Sequence, residues 1–228
     1  MLTRSHNEID PSAVIKLYRN GIFPMGDHND DNQIFWCNPI VRAVIPISKL
    51  HISRSLKKLC RKKKFEFSIN RDFLSTISKC ANREETWINK SIISTYNTLH
   101  NLGYAHSIEV WEDKKLKGGL YGVAIGKVFF AESMFSTSSN GSKLALIALM
   151  GTLALNKFLL LDVQFMTDHL RTMGAKEISR ALFLNLIKKS SSEKVEFNKT
   201  SSAIIDERLI NKAEMKSLVG IGKLKHQI

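Results

Sequence analysis

Helical and strand-like periods alternate through the first hundred residues of the chain. Apolar residues recur at helical spacing in four segments, at residues 11–20, 53–64, 72–80 and 91–102. Short runs rich in β-branched and aromatic residues predict strands within residues 33–47 and at 65–69. Between the first helix and these strands, Gly21, Pro24 and Gly26, with the polar run after them, predict a loop. Gly103 ends the last of these helices, and the pattern changes after it.

From His106 onward the pattern is that of a sheet followed by helices. Three β-rich runs, at residues 106–112, 116–125 and 127–135, are separated by short turns and predict an antiparallel meander. They are followed by a long apolar helix at 143–156, a buried strand at 157–166 and an amphipathic helix at 178–189. This succession predicts a mixed sheet with helices, in a protein of the α/β (α+β) class.

The predicted elements group into two domains and a tail. We place the boundary near residue 104, with an N-terminal α/β domain at residues 1–104 and a mixed sheet with helices at residues 105–189. Residues 190–228 form a basic tail with scattered apolar positions, which is typical of a partly disordered segment. A chain of 228 residues can bury a core of this size, as one large domain or as two small ones.

Composition excludes several classes of protein. No apolar run approaches the about 20 residues needed to span a bilayer, and the first residues have no apolar segment like that of a secretory signal. The three cysteines, Cys37, Cys60 and Cys80, have no Cys-x-x-Cys spacing, which argues against a disulfide framework and a zinc site. We therefore expect a cytoplasmic protein that needs neither a metal nor another cofactor.

The net charge of the chain limits its expected binding partners. The chain has 34 Lys and Arg residues against 21 Asp and Glu, and its net charge of +13 favours a polyanionic partner, usually nucleic acid or a membrane surface. The helix predicted at 53–64 has four cations spaced i, i+3, i+4 and i+7, which form one cationic stripe. They are Arg54, Lys57, Lys58 and Arg61. Like charges this close repel each other unless phosphates compensate them, so the cationic stripe predicts a phosphate-binding face.

Several longer motifs resemble a single family. They are GIFPM (21–25), RAVIP (42–46), HISRS (51–55), REETWI (83–88), LHNLGYAHSIEVWE (99–112), GGLYGVAIGKVFFAESMFS (118–136) and DVQF (162–165). In this order they resemble the leucyl/phenylalanyl-tRNA–protein transferase family, over residues 12 to 187. The resemblance implies an N-terminal α/β domain and a C-terminal GNAT-like acyltransferase domain, which agrees with the two domains predicted from the pattern.

The resemblance also implies an activity. Members of this family are aminoacyltransferases that move Leu or Phe, and Met less well, from aminoacyl-tRNA to acceptor proteins with an N-terminal Arg or Lys. The new peptide bond marks the acceptor for degradation through an N-degron, and neither a cofactor nor a membrane is implied. The acceptor's α-amino group has an ordinary pKa of about 7.7–8.0, so a useful fraction is already neutral at cellular pH and a strong general base is unnecessary.

Three polar residues in otherwise apolar strands are the candidates for catalysis. Asp162 and Gln164 lie two apart in a predicted strand and therefore face the same way. The resemblance puts this pair at the catalytic centre, where we expect Gln164 to accept a hydrogen bond from the attacking amine and Asp162 to orient it or supply charge. Glu132 is either a structural carboxylate paired with a buried Arg or the recognition site for the acceptor's N-terminal Arg or Lys, and the resemblance favours the second.

A pocket for the donor's amino-acid side chain is implied as well. Its walls are Leu120, Phe129, Met134, Leu149 and Leu161, which periodicity alone assigns to the core. Strict alternation puts Phe129 and Met134 on opposite faces, so the strand must bulge or end between them. We expect this pocket to accept Leu, Phe and Met and to reject β-branched Ile and Val.

Two residues match positions that contact the tRNA 3′ end in the family. Trp87 matches a tryptophan that stacks near the terminal adenosine, a contact worth roughly 1–3 kcal/mol. Met25 stands where the family usually has a tryptophan. We expect both residues, with the cationic stripe, to form the tRNA-binding surface.

Two other functions fit parts of the sequence. An acyl-CoA-dependent N-acetyltransferase of the same fold needs an Arg/Gln-x-x-Gly-x-Gly/Ala loop before the long helix to bind pyrophosphate, whereas residues 137–142 read TSSNGS with one glycine. A non-catalytic RNA-binding relative would use the cationic stripe alone, and it leaves the carboxylates in the apolar strands unexplained.

Overall fold

The computed structural model describes residues 9–27, 30, 33–47, 49–62, 64–190, 197, 203–204 and 211. The helices among these residues are α1 (Pro11–Arg19), α2 (Arg54–Arg61), α3 (Phe73–Ala81), α4 (Lys90–Asn101), α5 (Gly141–Leu155), α6 (Asp168–Thr172) and α7 (Arg180–Ser190). The strands are β1 (Phe23–Gly26), β2 (Ile34–Cys37), β3 (Val41–Pro46), β4 (Glu66–Ile69), β5 (Ala105–Glu112), β6 (Lys115–Ile125), β7 (Val128–Ser136), β8 (Leu160–Gln164), β9 (Lys176–Ser179) and β10 (Ala203–Ile204). Most of the predicted basic tail lies outside the described residues.

One large mixed sheet runs through the described part of the chain, in the strand order β10-β4-β5-β6-β7-β8-β3-β9. All neighbouring strands are antiparallel except β7 and β8, which are parallel. The α/β class with a mixed sheet is therefore confirmed, and so is the antiparallel meander predicted from residue 106 onward. A separate two-stranded sheet contains β1 and β2.

The large sheet is continuous across the domain boundary expected near residue 104. β4 pairs with β5 on one side of the meander, and β3 pairs with β8 on the other. Residues 105–189 thus supply the middle of the sheet and the outer strand β9, while two of its other strands come from residues 41–69.

Helices cover both faces of this sheet. α2 and α5 pack against one face, with Leu56 and Cys60 among the buried contacts. α1, α3, α4 and α7 pack against the other face, through residues that include Val14, Ile77 and Phe183. α5 is buried along most of its length, as expected for a helix that is apolar all round. Its first residue also lies against β6, since a Cβ on Gly118 would come within 2.4 Å of the Gly141 carbonyl carbon.

Three short elements differ from the sequence prediction or are absent from it. Residues 23–26, predicted as a loop, form β1. Pro24 and Gly26 have poor strand propensity, but pairing with β2 and a hydrogen bond from the Gly26 N–H to the Trp87 carbonyl (2.9 Å) hold the strand. The sequence pattern does not predict α6 or β9, because five and four residues are too few for a period to emerge.

Part of the C-terminal tail packs against the large sheet. β10 pairs with β4 at the sheet edge. Phe197 is buried, with its ring centroid 4.4 Å from that of His106 and 5.3 Å from that of Phe129. This aromatic contact belongs to the same core as α2 and α5.

Candidate active site

Asp162 lies in β8 at the centre of the molecule and is paired with a buried arginine. Both side chains are almost completely buried, at 0% and 1% exposure for Asp162 and Arg42. Arg42 Nε donates to one carboxylate oxygen at 3.0 Å and Nη2 to the other at 2.6 Å. Burial raises the pKa of Asp162, and the guanidinium pulls it back toward its usual range. Because both oxygens are bound by Arg42, this carboxylate is held in one orientation.

Gln164 ends β8 in an unusual backbone conformation. Its φ is +63°, in the left-handed region that residues other than glycine rarely adopt. The ladder between β3 and β8 shifts register at this point, because Ala43 pairs with Gln164 while Val44 pairs with Asp162. The Gln164 N–H donates to Asp162 Oδ1 at 3.0 Å, so the arginine-bound carboxylate fixes this strained residue in place.

Glu132 is the extra residue of a β-bulge in β7. Ser133 pairs with Tyr121 on β6, whereas the next pair joins Ala131 to Gly122, which leaves Glu132 unpaired between them. Of the two possibilities expected between Phe129 and Met134, a bulge or a strand end, the structure has the bulge.

Three side chains form a hydrogen-bonded network around Glu132. Tyr18 donates to Glu132 Oε1 at 2.6 Å, and Gln164 Nε2 donates to the same oxygen at 3.0 Å. The Tyr96 hydroxyl is hydrogen-bonded to that of Tyr18. Glu132 Oε2, by contrast, is buried without a hydrogen-bond partner among the described residues. Gln164 thus connects the two carboxylates, through its backbone to Asp162 and through its side chain to Glu132.

The protonation states in this network follow from burial. Burial raises the pKa of Tyr18 and Tyr96 well above the usual range, so both hydroxyls stay protonated and can donate. Burial also raises the pKa of Glu132 to about 7, although the hydrogen bonds from Tyr18 and Gln164 oppose the rise. A carboxyl group with this pKa changes its charge easily near neutral pH, a property that functional sites often show.

A cavity of about 210 Å³ lies beside Glu132. Its lining residues are Arg83, Trp87, Leu120, Ala131, Glu132, Ser133, Met134, Leu146, Val163 and Leu170. The walls are mostly apolar and include one carboxylate, one guanidinium and one indole. Gln164 follows the lining residue Val163 but is buried and does not itself line the cavity.

The structure brings some of the predicted pocket residues to this cavity and places others behind it. Leu120 and Met134 line the cavity. Phe129, Leu149 and Leu161 are completely buried in the core on which it rests, and they do not line it. Ala131, Leu146, Val163 and Leu170 are apolar lining residues that the sequence did not single out.

The predicted tRNA contacts occupy two separate elements. Trp87 is half-buried and lines the cavity, and its carbonyl is bound to Gly26, the neighbour of half-buried Met25. The cationic stripe lies on α2, and Ser53 caps the N-terminus of this helix with a hydroxyl that accepts from the Leu56 N–H at 3.3 Å. Arg54, Lys58 and Arg61 are exposed and Lys57 is half-buried.

Sequence reasoning missed Arg42, Tyr18 and Tyr96. One signal was available for Arg42, because it is a charged residue within the apolar run VRAVIP, as Asp162 is in its own strand. For the two tyrosines there was no such signal, since a tyrosine on the apolar face of a helix is indistinguishable from an ordinary core residue.

Other features bear on the alternative functions. At the start of α5 the Ser142 N–H donates to Ser136 Oγ (3.0 Å) and the Gly141 N–H to the Ser138 carbonyl (3.2 Å), so these amides are already occupied. Within the described residues, no three His, Cys, Asp or Glu side chains are grouped as metal ligands. No helix in this part of the chain is both long and apolar enough to cross a bilayer.

Among solved structures, the chain is similar to a GCN5-related N-acetyltransferase-like protein from Streptococcus suis, with a TM-score of 0.36 and 11% identity. The match covers 61% of this chain and 60% of that one, a likeness too distant to bear on function.

Relatives of known family are much closer in sequence. The profile of leucyl/phenylalanyl-tRNA protein transferase matches residues 44–188, and that of its N-terminal domain matches residues 7–39. The leucyl/phenylalanyl-tRNA–protein transferase of Dinoroseobacter shibae is 44% identical over 196 residues, which cover 86% of this chain and 88% of the relative. The corresponding protein of Zymomonas mobilis subsp. mobilis is 47% identical over 190 residues, 82% of this chain and 71% of the relative. The resemblance drawn from the sequence motifs is confirmed, and the chain belongs to the leucyl/phenylalanyl-tRNA–protein transferase family of aminoacyltransferases.

Proposed function

We propose that this chain transfers Leu or Phe from aminoacyl-tRNA to the α-amino group of proteins that begin with Arg or Lys. The product has a new N-terminal Leu or Phe, which would mark it for degradation. The observation that best supports this proposal is the unpartnered Oε2 of Glu132 at the wall of a mostly apolar cavity, with Gln164 directly beside it. The negatively charged Glu132 carboxylate suits a substrate protein with a cationic N-terminal residue. The apolar cavity next to it suits the Leu or Phe side chain carried by the tRNA.

Gln164 has the geometry to position the attacking amine. Its NH₂ group donates to Glu132. The side-chain carbonyl oxygen has no donor among the described residues and is therefore available to the amine N–H. An amide oxygen is a weak base, so its role is to orient the lone pair of a neutral amine rather than to remove a proton. Holding the amine against the ester in this way supplies acceleration through proximity and orientation.

The reaction then needs little further assistance from the protein. The amine nitrogen attacks the ester carbonyl carbon, a C–N bond forms, and the bond between that carbon and the ribose oxygen breaks. The proton lost by the amine ends on the departing ribose oxygen. Because the amine has an ordinary pKa of about 7.7–8.0, the neutral nucleophile is already present at cellular pH.

Asp162 acts through Gln164 in this proposal. The carboxylate is buried and bound on both oxygens by Arg42, and it does not line the cavity. Its hydrogen bond to the Gln164 N–H holds the residue in the left-handed conformation that directs the side chain toward Glu132. Asp162 is thus a positioning residue, and Arg42 keeps its orientation fixed.

Glu132 recognises the acceptor. When ionised, its free oxygen can accept a charge-assisted hydrogen bond from the ammonium or guanidinium group of an N-terminal Lys or Arg. Tyr18 and Gln164 keep the other oxygen occupied and so leave one oxygen for the substrate. The donor's side chain lies in the cavity against Leu120, Met134 and Leu146, with Trp87 near the terminal adenosine.

The direct test is a transfer assay with purified protein, labelled Leu-tRNA and a peptide that begins with Arg. We expect label in the peptide, and none in the same peptide with an acetylated N-terminus, which has no nucleophile. Acetyl-CoA as the donor should give no product, in line with the occupied amides at the start of α5. Absence of label from the free-amine peptide, under conditions where the protein binds the tRNA, would support the non-catalytic alternative.

A further inference from the structure

A second cavity of about 460 Å³ adjoins the cavity at Glu132 and is polar where the first is apolar. Its lining residues are Lys79, Asn82, Arg83, Met134, Phe135, Ser136 and Thr137. We call it the polar cleft. It lies between the C-terminal end of α3 and the end of β7, and it shares Arg83 and Met134 with the first cavity.

The lining of the polar cleft suits an anion. It contains two cations, an amide and two hydroxyls, and no carboxylate. Lys79 and Asn82 are exposed, and neither has a side-chain partner in the part of the chain that the structure describes. The hydroxyls of Ser136 and Thr137 already donate to backbone carbonyls. The donors left for a ligand are therefore the Lys79 ammonium and the Asn82 amide, beside the Arg83 guanidinium, in a cleft with an excess of positive charge.

Arg83 is held at the junction of the two cavities by neutral partners. Its Nε donates to the Cys80 carbonyl at 2.9 Å, and Nη2 donates to Ser133 Oγ at 2.7 Å. Neither partner neutralises the guanidinium charge. The bond to Cys80 occupies one carbonyl in the last turn of α3 and sets the guanidinium charge against the negative end of the helix dipole.

We infer that the polar cleft binds the phosphodiester groups between the last nucleotides of the donor tRNA, with Lys79 and Arg83 as the charged contacts. This inference rests on the proposed function. It places the 3′ strand of the donor tRNA on the side of the active site where the polar cleft lies. The acceptor is the wrong ligand for the cleft, because an N-terminal Arg or Lys would be repelled by two cations. A phosphodiester strand has the opposite charge and offers an acceptor oxygen on each linkage.

Because the two cavities are connected, the tRNA strand can run in only one direction, from the polar cleft toward the cavity at Glu132. The last phosphodiester of a tRNA precedes the terminal adenosine, whose ribose carries the aminoacyl ester. With this phosphate in the polar cleft, the adenosine passes Arg83 and Met134 toward Trp87, and the aminoacyl group enters the apolar cavity beside Glu132. The cationic stripe on α2 is a separate surface, so the protein would hold the strand end and the body of the tRNA independently.

Equilibrium binding of the 5′-labelled trinucleotide CCA, compared with equilibrium binding of labelled adenosine, tests this assignment. Lys79→Ala should weaken CCA binding about fivefold or more and lower the slope of log Kd against log salt by about 1, because one phosphate contact is lost. Binding of adenosine, which has no phosphate, should not change. Lys79→Arg should restore CCA binding, and Lys115→Ala, which removes an exposed cation from β6, serves as the matched control.

Two results would overturn the assignment. One is CCA binding by Lys79→Ala with wild-type affinity and salt slope; the other is an equal loss of CCA and adenosine, which indicates a structural effect. CCA binding needs no catalysis, so its result is separable from that of the transfer assay. If the wild-type protein binds CCA through Lys79 but transfers no Leu, the proposed function is refuted, while the assignment of the polar cleft as a phosphodiester site stands.

Discussion

Arg42 binds both carboxylate oxygens of Asp162, at 3.0 Å from Nε and 2.6 Å from Nη2, although the two residues are 120 positions apart in the sequence. The third guanidinium nitrogen, Nη1, donates to the Gly21 carbonyl at 3.0 Å. The rings of Phe23 and Phe183 lie 4.5 Å and 4.7 Å from the guanidinium carbon. Arg42 therefore joins β3 to β8, to the turn after α1 and to α7, and each group that it binds is out of contact with water.

Removing one member of this pair should destabilise the protein strongly. Arg42→Met leaves the Asp162 carboxylate buried without its counter-charge and should lower the free energy of unfolding by about 3–5 kcal/mol. The double variant Arg42→Met/Asp162→Leu removes both charges, so it should be more stable than Arg42→Met alone. Urea unfolding followed by circular dichroism measures all three proteins. A single variant as stable as the wild type would contradict the buried ion pair.

Gln164→Ala should impair transfer without affecting the binding of tRNA. Loss of one preorganised polar group reduces transition-state stabilisation by about 2–4 kcal/mol, so kcat should fall by one to three orders of magnitude. The affinity for tRNA should remain, because α2 and the cavity walls are unchanged. Rapid-quench transfer assays and filter binding separate the two quantities. If a folded Gln164→Ala protein has near-normal kcat, the amine must be positioned by another group.

The raised pKa of Glu132 predicts that stability falls as pH rises. Between the ordinary pKa of 4.5 and about 7, the folded protein holds a proton on Glu132 that the unfolded chain has lost. The contribution of this group is therefore fully present below pH 4.5 and is lost as pH rises through 7, amounting to about 3 kcal/mol at most. The free energy of unfolding of wild type, minus that of Glu132→Gln, should decrease over this range.

The same variant tests acceptor recognition by Glu132. Glu132→Gln removes the negative charge but keeps an oxygen that can accept from Tyr18, so KM should rise for peptides that begin with Arg or Lys while kcat changes less. In the wild type, KM for these peptides should also rise as pH falls below 7. If the difference in stability between the two proteins does not depend on pH, Glu132 does not titrate as described. If KM is unchanged in Glu132→Gln, Glu132 does not recognise the acceptor.

The cationic stripe on α2 should bind phosphates of the tRNA body. Arg54→Ala/Arg61→Ala should raise KM for charged tRNA and flatten the dependence of log KM on log salt by about 2, one for each lost contact. The double variant Lys115→Ala/Lys176→Ala removes two exposed cations from β6 and β9 and is the matched control. Equal slopes for the stripe variant and the wild type would exclude this face from the interface.

Donor selectivity should follow the shape of the apolar cavity. Leu and Phe should transfer well, Met less well, and Ile and Val poorly, although the difference between similar apolar side chains is limited to about 1–3 kcal/mol. Leu120→Trp should fill the cavity and block transfer while the fold survives, which thermal unfolding can verify. Equal rates for Leu and Ile, from tRNAs charged to the same extent, would refute the pocket.

Sequence patterns predicted those parts of the fold in which one kind of residue persists over many positions. The meander strands β6 and β7 have eleven and nine residues and α5 has fifteen, so their β-rich and apolar runs are long enough to assign. β1, α6 and β9 are too short, and β1 contains a proline and a glycine, so only tertiary pairing explains it. The strand order of the large sheet could not be predicted either, because no local sequence pattern indicates that β3 lies between β8 and β9.

The same distinction applies to the site. Glu132 and Gln164 stood out as polar residues in apolar strands, and a bulge or strand end near Glu132 was expected because Phe129 and Met134 were assigned to one pocket, although Phe129 lies behind the cavity. Their partners did not stand out. Tyr18 is 114 residues from Glu132 and 78 from Tyr96, and only the packing of α1 and α4 on the same face of the sheet brings the three together.

Phe197 bears on where this chain can be shortened. The family profile ends at residue 188, yet the Phe197 ring contacts those of His106, Phe129 and Phe158. A chain trimmed at residue 188 would leave these rings without their partner and the outer edge of β4 unpaired, and exposed edges of this kind promote aggregation. A fragment that keeps this packing therefore extends past the end of the family profile to include Phe197 and β10.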